Sequence, residues 1–168
     1  MRKVVKVIDS ICDWNGKVSS WLMPVLILVM TYETVMRYAF DAPPIWAFET
    51  SMMLGAAIFV LAYSYSHRYN AHIRIDIFYQ RLSPRKKAII DVIGALLFFF
   101  PIAIVLTHAS FINAWDSWAI GEVRQPSAWY PPLAPLRTVI FIGFFLLALQ
   151  GLANFIRDLY LVIRNKSL

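Results

Sequence analysis

Charge is scarce in this chain: Lys, Arg, Asp and Glu together make up 15% of its 168 residues, against about a quarter in a soluble domain. Cysteine is scarcer. Cys12 stands alone, which excludes a disulfide framework and any membrane enzyme that oxidises thiols through paired cysteines. The sequence has no HExxH metal pair, no GxSxG nucleophile elbow, no cysteine cluster and no phosphate-binding glycine motif. Internal repeats and low-complexity runs are also missing. No polar stretch is long enough to form a soluble catalytic domain.

What the chain has in abundance is apolar surface, with 60% hydrophobic residues and a mean hydropathy of +0.60. A crossing takes roughly 20 apolar residues, and four segments reach that length, over about 20–40, 46–66, 88–113 and 138–163. They predict one all-α integral membrane domain of four transmembrane helices filling residues 1–168.

Orientation follows from the basic residues. Arg2, Lys3, Lys6 and Lys17 precede the first span, Arg68, Arg74, Arg81, Arg85, Lys86 and Lys87 lie between the second and third, and Arg157, Arg164 and Lys166 end the chain. Only Arg37, Arg124 and Arg137 fall on the other side. Positive loops stay inside, so both termini are expected in the cytoplasm. The net charge of +6 then reads as topology and contact with anionic lipid, not as nucleic-acid binding. Trp14 and Trp21 are expected to mark the inner interface, and Trp46, Trp115, Trp118 and Trp129 the outer one.

Two shorter pieces read as interfacial helices. Over about 3–14, Val4, Ile8 and Ile11 share a face. Interruption by Lys6, Asp9, Asp13 and Lys17 argues against a cleaved signal there. Over about 74–82, Ile75, Phe78, Tyr79 and Leu82 recur at helical spacing. Ser83-Pro84 then reads as the cap and first residue of the third span, with Asp91 about two turns in. The stretch from Trp115 to Pro135 carries four prolines among Trp118, Trp129 and Tyr130, which predicts a non-helical, aromatic-anchored outer loop.

Ionisable groups inside spans are costly, and so are the first candidates for function. Glu33 and Arg37 lie one turn apart in the order that favours pairing, and Glu49 opens the second span. An ion cluster holding the first hairpin together is the expected role, with an ion relay or a subunit contact as alternatives. The histidines do not suit haem. His67 and His72 lie at the inner end of the second span and His108 toward the outer end of the third, so no facing pair shares a leaflet. His108 is expected to hydrogen-bond within the bundle. Four spans make a poor stand-alone transporter, since those folds are built from repeated halves. The chain therefore reads as a dependent subunit. A homo-oligomeric channel or exporter and the membrane anchor of an enzyme are the alternatives.

Three places carry a family resemblance. Arg37-Tyr38-x-Phe40 is followed by Trp46-x-x-Glu49; Ala62-Tyr63 is followed by His72-Ile73-Arg74-Ile75-Asp76; and Gly121-Glu122 is followed by Trp129, Pro135-Leu136-Arg137 and Leu149-Gln150-Gly151. In this order the chain resembles the small membrane subunit (DctQ-like) of a TRAP, or tripartite ATP-independent periplasmic, transporter. It departs from the family in having a lone acid, Glu49, where many members have two, and in carrying Glu33. The resemblance implies a bacterial inner-membrane importer of organic acids. A large partner subunit would hold the sodium and substrate sites, and a periplasmic binding protein would deliver substrate. This chain would be scaffold, not enzyme, with no cofactor of its own. Glu33, Arg37, Trp46, Glu49, His72, Arg74, Asp76 and Asp91 would shape the fold or the subunit interface, and Trp115, Trp118, Trp129 and Tyr130 would form the outer docking surface.

Overall fold

The computed structural model describes residues 2–69, 82–125 and 127–164, and these are helical apart from short connections. In chain order the helices are α1 (Arg2–Ser20), α2 (Leu22–Ala39), α3 (Ala47–Arg68), α4 (Pro84–Gly94), α5 (Phe100–Ile120) and α6 (Ala134–Arg164), with a π-helical turn, Ala95–Phe99, between α4 and α5. Among the described residues, four stretches are long and apolar enough to cross a membrane: Arg2–Ala39, Ala47–Arg68, Pro84–Ile120 and Ala134–Arg164. Each overlaps one of the four apolar segments read from the sequence, with displaced ends. The expected interfacial helix over 74–82 lies outside the described residues but for Leu82.

Prolines set the two irregularities. Pro24 falls in the first turn of α2, where a missing N–H is tolerated. The break from α1 therefore falls just before it, at Trp21, whose N–H turns back to Val18 O (3.1 Å). Pro101 cannot donate to Leu97 O, and its ring crowds that carbonyl. The chain widens by one residue there, so that the Phe100 N–H reaches Ala95 O. At the start of α4, Ser83 is extended and Pro84 is the first helical residue, as expected, but the Ser83 hydroxyl makes no capping bond. At the end of α5, Gly121 takes the left-handed conformation (φ +61°) and the Glu122 N–H returns to Ser117 O (3.1 Å).

α6 is the hub, packing against α1, α3, α4 and α5. It buries Ala134, Gly143, Leu146, Gln150, Gly151 and Ala153. Contacts of Asn15 with Leu61, Asp9 with Arg68, and Tyr32 with Trp46 lay α1 and α2 antiparallel along α3. α2 has no buried residue. α1 differs from its sequence reading: Val5, Ile8 and Cys12 are buried with Ala153, while Val4 and Ile11 are exposed. Two apolar stripes run along this helix, and α3 and α6 cover the one containing Cys12.

Candidate functional site

Two polar clusters close the ends of the bundle. At the end where α1 begins and α6 ends, Asp9 is the centre, with only 8% of the residue exposed. The guanidinium of Arg157 pairs with one carboxylate oxygen, and Gln150 Nε2 donates to the other at 3.2 Å. Gln150 Nε2 and Arg157 also donate to Asn154 Oδ1, at 3.2 and 2.8 Å, while Asn154 Nδ2 donates to His67 O at 3.2 Å. Arg68 donates to the Asp9 carbonyl and pairs with Asp13. The Tyr69 hydroxyl donates to Asp13 at 3.1 Å, and this bond holds it above the ordinary tyrosine range. α1, α3 and α6 are thus tied by a network in which each buried charge has a counter-charge, the condition for tolerating it.

Beside this network, the π-turn places the Phe99 ring flat against His67, with centroids 4.9 Å apart and planes at 4°. The ring fits because residue 151 is glycine, where a Cβ would lie 2.0 Å from a Phe99 ring atom.

At the opposite end, Ser127 organises the loop between α5 and α6. Its hydroxyl donates to buried Glu49 at 2.8 Å and accepts from the N–H groups of Trp129 and Tyr130 at 3.1 and 3.3 Å. Paired backbone between Val123 and Pro132 narrows the loop. Arg137 joins it to the helices through Glu122 and Asn113 O, and Trp118 Nε1 donates to Thr138 at 2.9 Å. Ser127→Ala would remove the donor to Glu49 and the acceptor for two N–H groups. We expect limited proteolysis of the loop to speed up about five- to tenfold, as loss of one such hub costs on the order of 1 kcal/mol; unchanged cleavage would show that the loop is held by the Glu122–Arg137 pair instead.

The expected site residues are therefore divided. Glu33 and Arg37 pair with each other within α2 (2.6 Å), and Trp46 stacks on Tyr32 (5.9 Å, 16°). Glu49 turns to the far loop instead, so these three acidic and basic groups do not form one cluster across the first hairpin. Asp91 is partly buried two turns into α4. Trp115 is exposed beside Phe111. His72, Arg74 and Asp76 lie outside the described residues. His108 corrects its expected role: it faces away from the bundle and has no partner among the described residues. The α5 face that packs inward holds Ala103, Ser110, Ala114 and Ser117.

Sequence reasoning missed Ser127 and the Asp9 network. The second was signalled: Gln150, Asn154 and Arg157 recur at i, i+4 and i+7 in an apolar span, and Asp9 and Asp13 at i, i+4 in α1. Among the described residues, no group of three His, Cys, Asp or Glu could hold a metal ion.

A search of curated proteins finds no match to this chain. The family model for the DctQ component of tripartite ATP-independent periplasmic transporters matches residues 26–160, which run from α2 almost to the end of α6. With that match over most of its length and four helices able to span a membrane, the chain belongs to the DctQ family, the small component of these transporters.

Proposed function

We propose that this chain is the scaffold subunit of a sodium-coupled, binding-protein-dependent importer of organic acids in the bacterial inner membrane, with both termini in the cytoplasm. The large membrane subunit binds sodium and substrate, and the small chain braces it while its transporting part moves. The loop organised by Ser127 and Glu49 faces the periplasm, where it is available to the binding protein.

The observation that carries this reading is the closure of the bundle between α3 and α6. A Cβ at Gly143 would lie 2.8 Å from the backbone oxygen of Val60. Helices packed so closely leave no lane for a solute between them, and helix pairs in contact through small residues resist separation. With the Asp9 network at one end and the Glu49 loop at the other, the subunit is braced along its length. A brace is useful only if it deforms less than what it supports.

Affinity purification of the tagged chain from native membranes in mild detergent, with mass spectrometry of what stays bound, tests the reading. A much larger, strongly apolar polypeptide is the expected companion. Recovery of the chain alone as a stable homo-oligomer that conducts solute in liposomes would replace the scaffold with a channel.

A further inference from the structure

His108 is a polar group at a depth where lipid offers it nothing. On α6 the residues from 138 to 156 carry no charge, and Arg137 and Arg157 bound them. At 1.5 Å per residue the two arginines stand about 30 Å apart, the thickness of a hydrocarbon core. α5 runs antiparallel to α6, with Phe111 against Phe141 and Phe100 against Phe155. His108 is three residues from Phe111 toward Phe100, which puts it level with residue 144 of α6. It therefore lies roughly 10 Å inside the Arg137 level.

Its direction is equally defined. The buried stripe of α5 is Ala103, Ser110, Ala114 and Ser117, and at 100° per residue His108 points about 150° away from it. Ile104, Val105, Ile112 and Trp115 surround it on the exposed side. Such a residue in a span almost always faces protein or a watery cavity, because hydrocarbon satisfies neither ring nitrogen. One turn further along the same face, Phe111, Ile112, Trp115 and Asp116 line a depression of about 400 Å³. Packed membrane helices fill such depressions with each other's side chains.

Resting on the scaffold reading, we propose that this outward face of α5, centred on His108, is where a transmembrane helix of the large subunit docks. That helix presents a hydrogen-bonding side chain to the His108 imidazole and an apolar knob to the depression beside Trp115. A phospholipid tail would fill the depression but leave the imidazole unsatisfied.

The test places a photoreactive phenylalanine analogue at Ile104, Ile112 or Trp115, and at Leu28 on α2 as a control, in the tagged chain expressed with its native partners. Cross-links from the α5 positions to a much larger polypeptide, and none from Leu28, are the expected result. His108→Phe should lower recovery of that polypeptide about three- to thirtyfold, the range of one hydrogen bond between membrane helices, while His108→Gln should retain it. The face assignment is overturned if the partner co-purifies but the α5 positions reach only lipid or a second copy of this chain, or if His108→Phe recovers as much partner as His108→Gln. If the unmodified chain brings down no larger polypeptide, the scaffold reading fails and the docking face with it.

Discussion

Gly143→Leu is expected to yield no monodisperse protein in detergent, whereas Gly55→Leu is expected to purify like the parent chain. Both glycines lie in membrane-length helices, but a Cβ at Gly55 meets nothing within 4 Å. At Gly143 it would meet Val60 Cγ1 and Val60 O at 2.8 Å, and the Val60 carbonyl carbon at 2.9 Å. A side-chain methyl can rotate aside; a backbone carbonyl moves only if α3 moves. Overpacking of this kind costs about 1–3 kcal/mol for a methyl or two, and four carbons against a fixed carbonyl exceed that. The intermediate case sharpens the test. Gly143→Ala incurs the clash of one methyl but gains about 1 kcal/mol of helix propensity, so its net loss is at most about 2 kcal/mol. Gly55→Ala gains the same propensity without a clash. The expected order of stability in detergent is Gly55→Ala, parent, Gly143→Ala, then Gly143→Leu. Equal behaviour of the two leucine variants would show that α3 and α6 are not held at this crossing.

The contrast at residue 143 also marks how much of the molecule was legible beforehand. Span number followed from apolar runs, since only a helix can satisfy its own backbone in hydrocarbon. The Glu33–Arg37 pair followed from its one-turn spacing. Orientation about the helix axis did not follow. Large apolar residues and scattered polar ones occur all round α5, so hydropathy offers no contrast to say that Ala103 and Ser110 turn inward and His108 outward. The same gap misplaced the buried face of α1, where the stripes through Val4 and Ile11 and through Val5 and Cys12 have equal helical spacing. The π-turn was signalled by Pro101 in the middle of a span. Contacts such as Ser127 with Glu49, 78 residues apart, follow only from the closed bundle.

The second large effect is expected at Asp9. Asp9→Leu leaves Arg157 without its counter-charge and removes the acceptor that Gln150 uses alongside Asn154. Gln150 is fully buried and its Oε1 already lacks a partner among the described residues, so the site has little capacity for a second unsatisfied group. Breaking one side of a buried ion pair costs about 3–5 kcal/mol. Here the Arg157 side chain is 34% exposed, and water screens part of that loss, which puts the expected destabilisation near 3 kcal/mol. Replacing both partners behaves differently. In Asp9→Leu/Arg157→Met no charge is stranded, and paired apolar replacements of buried ions are often neutral or stabilising. The double variant should therefore recover most of the loss, giving a coupling of at least 1 kcal/mol in unfolding titrations in mixed micelles. Simple additivity would mean that Arg157 reaches water in the single variant and that the network contributes through its neutral hydrogen bonds alone. In that case Asn154→Leu, which removes the acceptor shared by Gln150 and Arg157 and the donor to His67 O, becomes the more damaging substitution. The order of Asp9→Leu and Asn154→Leu thus decides whether charge pairing or hydrogen bonding fastens α1 to the bundle.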